Sequence, residues 1–215
     1  MAKLRILSFF VLGVITLVSP LAFAQEGSSS VFLANQEVRV ANLPSLTAPS
    51  AHRSAVFATA LETVLHDKTV CCGKDSALED VALYASLSAP LSLKELSTKL
   101  QGRHLLSDGR PVMVNAEYIP HDSINPSLIV STLTEQHASL IERKSHVYVL
   151  YGALFDETRD SSSGVRAYAI HKLFLLDLRF SDQRREVVFD RETDDWGQMQ
   201  GLLTVGFVIP PSTWK

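Results

Sequence analysis

Cysteine is almost absent from this 215-residue chain: there are two, Cys71 and Cys72, and they are adjacent. Neighbouring residues close no loop worth closing, so a stabilising disulfide framework is excluded as their purpose. Three readings stay open: a strained vicinal disulfide, a metal site, or one reactive thiol beside a bystander. Basic residues are no more plentiful than acidic ones, and the formal net charge is −3. Without a basic cluster the chain has no footing for nucleic acid. It also lacks Gly-x-Ser-x-Gly, phosphate-loop, dinucleotide-binding and His-Glu-x-x-His patterns, which removes the commonest hydrolase, nucleotide and zinc signatures. The seven histidines are dispersed, so no metal and no cofactor is expected.

The one long apolar run lies at the start. Lys3 and Arg5 precede residues 6–18, and Ala22-Phe23-Ala24 ends the stretch. A basic start, a short apolar centre and a small-x-small end predict a signal peptide over residues 1–24. The mature chain is then expected to be exported, periplasmic or secreted, with no membrane association after cleavage. Residues 25–50 are rich in Gly, Ser, Pro and Ala and read as a flexible lead-in, with an edge strand allowed at Glu37-Val38-Arg39-Val40. Residues 51–215 read as one domain.

Within that domain, helical patterns come first. Ser50 caps a helix to about Leu65, and the run 76–87 has helical spacing behind Asp75 or Ser76. Ser92 and Glu95 have the capping-box spacing for a short helix that Gly102 ends. Ser107-Asp108-Gly109 is a turn signal, and Asn125-Pro126 opens a helix to about Glu135 with Asn as cap and Pro at the first helical position. The chain then changes character. Residues 145–155, 165–180, 186–189 and 202–209 are β-branched, aromatic or apolar, and 156–164 reads as a polar hairpin loop. Val147-Tyr148-Val149-Leu150 and Leu173-Phe174-Leu175-Leu176 do not alternate, which predicts strands buried on both faces, with helices over one side. Helices first and an antiparallel sheet second predicts an α+β fold.

Three residues in this frame have the types a thiol hydrolase needs. Cys72, with Gly73, stands where a helix begins, and unpaired N–H groups there stabilise a thiolate. His146 heads an apolar strand. Asp177 sits between Leu176 and Leu178, where a carboxylate is costly unless something pairs with it.

The stretch Cys72-Gly73-x-x-x-Ala77-Leu78 resembles the nucleophile motif of papain-like (clan CA) cysteine peptidases of the bacteriocin-processing, double-glycine-leader type. His146-Val147-Tyr148-Val149-Leu150-Tyr151-Gly152 is similar to that family's histidine strand, and Leu175-Leu176-Asp177 to the strand ending in its third catalytic residue. The resemblance implies a papain-like core with N-terminal helices packed on a C-terminal antiparallel sheet. It also implies Cys72 as nucleophile, His146 as general base and then acid, and Asp177 as the group orienting the imidazole, acting on a peptide or protein substrate through a thioester. Where the family places a glutamine before the cysteine, this chain has Leu65-His66-Asp67-Lys68, so the oxyanion donors fall to Cys72 and His66. Leu178 stands where the family has proline. Cys71 becomes a redox or regulatory residue, since pairing with Cys72 would block the nucleophile. The alternative is a non-catalytic exported binding module that retains the same fold, with a Cys71–Cys72 disulfide.

Overall fold

The computed structural model describes residues 30–41, 43, 56, 59, 60, 63, 64, 92–105, 111–179, 185–193 and 196–208. Long β-branched and aromatic runs give these residues one antiparallel sheet of eight strands: β1 (Ser30–Arg39), β2 (Gly102–Leu105), β3 (Pro111–Pro120), β4 (Ser139–Arg143), β5 (His146–Asp160), β6 (Arg166–Asp177), β7 (Arg185–Asp190) and β8 (Met199–Val208). The spatial order is β2-β3-β8-β4-β5-β6-β7. β5 pairs with β6 along most of one edge. Its other edge is shared by β4, against residues 146–150, and β1, against residues 152–160.

Two helices with complete boundaries sit in this frame, α1 (Leu93–Leu100) and α2 (Pro126–Thr134). The capping box forms as its spacing predicts: Ser92 Oγ accepts the Glu95 N–H, and Glu95 accepts the Ser92 N–H at 2.8 Å. Gly102, with φ +121°, carries the chain out of α1 into β2. Asn125 Oδ1 accepts the Ser127 N–H at 2.8 Å, with Pro126 at the first helical position. Val56, Thr59, Ala60, Thr63 and Val64 are also helical and buried, a spacing that puts them on one stripe.

Strand alternation sorts the core into two layers. Leu140, Val147, Val149, Leu176 and Leu203 face α1 and the helical stripe of Val56, Ala60 and Val64. Their neighbours Ile141, Tyr148, Leu150, Leu175 and Leu202 face the opposite way, with Ile129, Val130 and Leu133 of α2. The central strands are buried on both sides, but the helices divide between the two faces instead of sharing one.

The expected papain-like α+β arrangement is therefore corrected. The described residues are mostly antiparallel sheet, β1 precedes the helices in the chain, and the two bounded helices are interleaved with strands on opposite faces. The sequence misled because most of β1 is exposed and the outer ends of β5 and β6 are charged or polar even where a face is buried, as at Glu157. Residues there need not alternate, so a strand carries a loop's composition. Residues 25–50, expected as a flexible lead-in with an edge strand allowed at Glu37–Val40, include the ten-residue β1, and β5 continues through Asp156-Glu157-Thr158-Arg159-Asp160, where a hairpin loop is expected.

Candidate functional site

His66, Cys71 and Cys72 lie outside the described residues, as do the helix expected over 76–87 and the turn at Ser107-Asp108-Gly109. His146 and Asp177 are both described, and the sheet brings them to one end. Because Val149 pairs with Leu176, His146, Tyr148, Asp177 and Arg179 follow one another on the α2 face where β5 begins and β6 finishes.

Their hydrogen bonds lead elsewhere. His146 is the first residue after a two-residue hairpin turn in which Lys144 and Ser145 both have positive φ, 47° and 64°. Its Nδ1 is 3.0 Å from the Lys144 carbonyl. A carbonyl only accepts, so in this contact Nδ1 carries the proton. Asp177 is 2% exposed. Arg179 occupies both its oxygens, Nε reaching Oδ1 at 2.8 Å and NH2 reaching Oδ2, and the Arg179 backbone N–H adds a third bond to Oδ1 at 3.1 Å. Burial pushes the Asp177 carboxyl up, but the Arg179 bonds outweigh it, helped by the nearby charge of His146, and hold it below the usual carboxylate range. The Arg179 guanidinium also lies 5.8 Å from the Tyr148 ring. The partner that the buried position of Asp177 demanded is two residues away.

A second constellation had no signature in the sequence. On the α1 face, beyond the helix, cross-strand register lines up Glu37, Leu154, Lys172 and Asp190 over β1, β5, β6 and β7. Two irregularities flank this row. In β1 the register shifts between Leu33 and Gln36, where Asn35 takes φ 53°, a conformation asparagine tolerates. Between β5 and β6 the pairing steps from Leu154–Lys172 to Phe155–Ile170, leaving His171 as the extra residue. Adjacent strand residues normally point to opposite faces, but this bulge lets His171 and Lys172 line one groove.

The groove has a volume of about 610 Å³ and is lined by Asn35, Leu154, His171, Lys172, Asp190 and Arg191. That lies within the span of small-ligand sites, roughly 300–1,000 Å³. Behind it, Asp156 Oδ1 accepts the Asn35 N–H at 2.8 Å and Oδ2 lies 2.8 Å from His171 Nε2. The Asn35 N–H, then the His171 ring, hold Asp156 below the ordinary carboxylate range. Lys172 Nζ is 3.4 Å from Asp190 Oδ2.

Beside the groove on the same face, Arg39, Gly152 and Phe174 stand in one cross-strand row. Gly152 is required there: a Cβ would meet the Val38 carbonyl at 2.9 Å and both Arg39 Cγ and Phe174 Cδ2 at 3.0 Å. Its absence lets the Arg39 guanidinium lie 4.0 Å from the Phe174 ring centre while donating to Tyr151 Oη and Glu186 Oε2, each at 3.1 Å. Tyr151 donates its hydroxyl to the same Glu186 oxygen. Burial, then that hydrogen bond and the Glu186 charge, push the Tyr151 phenol up to about 12.

Among the described residues no group of three or more His, Cys, Asp or Glu side chains is arranged to hold a metal ion, and no helix is long and apolar enough to cross a membrane. Compared with protein-family models, curated proteins and solved structures, the chain gives no match.

Proposed function

We propose that this chain is an exported binding module for a peptide or protein partner, which it receives on the open α1 face of β1, β5, β6 and β7. The observation that carries this reading is the state of the Asp177 carboxylate. A triad needs its third member turned onto the imidazole, whereas Asp177 gives both oxygens to Arg179 and His146 gives Nδ1 to a backbone carbonyl. The open face supports it further. Glu37, Leu154, Lys172 and Asp190 are exposed or half-exposed across four strands, and Val188 is 40% accessible beside Phe174 and Glu186.

The second reading is a thiol hydrolase using Cys72, His146 and Asp177. One observation favours it: the charge of His146 is felt at Asp177, so the two side chains share one end of the sheet. Alkylation of the reduced chain with iodoacetamide at neutral pH separates the readings. For a binding module, Cys72 reacts at an ordinary thiol rate that His146→Ala leaves unchanged. Fast, selective labelling of Cys72 that His146→Ala slows, together with Cys72-dependent hydrolysis of a peptide substrate, would overturn the proposal.

A further inference from the structure

We infer that the groove at the β1 and β5–β6 bulges binds an oxyanion, a carboxylate or phosphate group, through Arg191, Lys172 and His171. The inference rests on the binding-module reading and names the chemistry its open face selects. The carboxylates Glu37, Asp156 and Asp190 are already committed, Glu37 to Arg39. Asp156 is held by the Asn35 N–H and the His171 ring, and Asp190 lies against Lys172.

The cations keep donors to spare. An ammonium has three and a guanidinium five, and exposed Arg191 lines the groove together with Lys172 and His171. A cationic ligand would find the described carboxylates Asp156 and Asp190 already paired, with Arg191 repelling it. A neutral ligand would use the donors of Arg191 and Lys172 but not their charge. An oxyanion answers the planar donor fork of arginine directly, while Leu154 offers apolar surface to whatever carries the anion. The bulges make this possible, since a regular β6 would send either His171 or Lys172 to the other face.

The shared chemistry has two sources, the carboxylate of an acidic peptide or a free or esterified phosphate. NMR titration of the whole chain at constant ionic strength, replacing chloride by inorganic phosphate in one arm and by succinate in the other, distinguishes them. The arm that saturates identifies the source. The expected result is saturable shifts of the Asn35 amide, the His171 ring and the Arg191 side chain. Arg191→Ala should weaken binding at least about five-fold, and Leu154→Trp, which fills the groove without removing a charge, should abolish it. Arg166→Ala, elsewhere on the same strands, should leave it unchanged.

Shifts that grow linearly in both arms, or that persist equally in Arg191→Ala and Leu154→Trp, would overturn the inference. The two failures are separable. A groove blind to both anions in a chain without Cys72-dependent hydrolysis removes the oxyanion site alone. Cys72-dependent hydrolysis with saturable anion shifts removes the binding-module reading and leaves the groove standing.

Discussion

The two ends of β5 belong to different kinds of structure. Residues 146–150 lie between β4 and β6 with apolar layers on both faces, whereas residues 152–160 lie between β1 and β6 with one face open to solvent. In the first region an ionisable group survives only when fully matched, as Asp177 is by Arg179. In the second, charged groups are frequent and mostly half-exposed, and they pair across the strands at or near the surface. One sheet thus holds a region where polarity is a structural problem already solved and a region where polarity is available for recognition. The contrast is physical: burying a charge costs several kcal/mol unless it is paired, and at a wet surface the same charge costs little.

The sharpest way to test this contrast is to remove Arg179. Arg179→Ala leaves the Asp177 carboxylate buried without its partner and should cost about 3–5 kcal/mol in urea unfolding, while Arg191→Ala in the open region should change stability by less than about 0.5 kcal/mol. The pair also sets an acid limit. Because the folded carboxyl titrates below its unfolded value, its contribution is present above the unfolded pKa, about 3.9, and is lost as pH falls through the folded value. A second comparison uses apolar truncations. Leu203→Ala, in the closed core, should cost about 2–5 kcal/mol, against less than about 0.5 kcal/mol for exposed Val188→Ala.

Gly152→Ala tests the border between the regions. The added methyl group must shift the Val38 carbonyl as well as Arg39 and Phe174, and the expected loss is about 1–3 kcal/mol, together with a change in the Tyr151 environment readable by fluorescence. The Tyr151 phenol titrates above its unfolded value. Its contribution is therefore complete below about pH 10 and is lost as pH rises towards about 12. Alkaline unfolding curves of Tyr151→Phe should lack this component. The smallest effect belongs to the hairpin turn: Ser145→Gly relieves one positive-φ residue and should stabilise by up to about 1 kcal/mol, measured as a rise in urea midpoint.

What could be read from the sequence follows the same division. The capping residues Ser92, Glu95 and Asn125 located α1 and α2 because a cap is a local hydrogen bond. The inner parts of β5 and β6 were legible because continuous burial writes a continuous apolar run. Residues 156–160 and most of β1 were not, since β1 is largely exposed and the one buried position in 156–160, Glu157, is charged, which leaves no apolar periodicity to report. The position of Asp177 calls for a partner without naming it, because any nearby cation could serve; the fold uses Arg179, two residues on. The groove was illegible for a different reason. It arises from two bulges, and no spacing rule tells where a strand will gain one extra residue. Asn35, a residue tolerant of positive φ, was the only local hint.

The length of β5 has a mechanical consequence. Fifteen residues at about 3.3 Å each make a beam of roughly 50 Å, clamped at its His146 end by the double apolar layer and projecting at the other with only β1 and β6 as flanges. The hairpin tip is tied by Asp160, which accepts the Ser162 and Ser163 N–H groups, and by Gly164 at φ +69°. A force applied to a ligand in the groove would therefore be carried along one continuous backbone into the core, as a cantilever carries load to its wall.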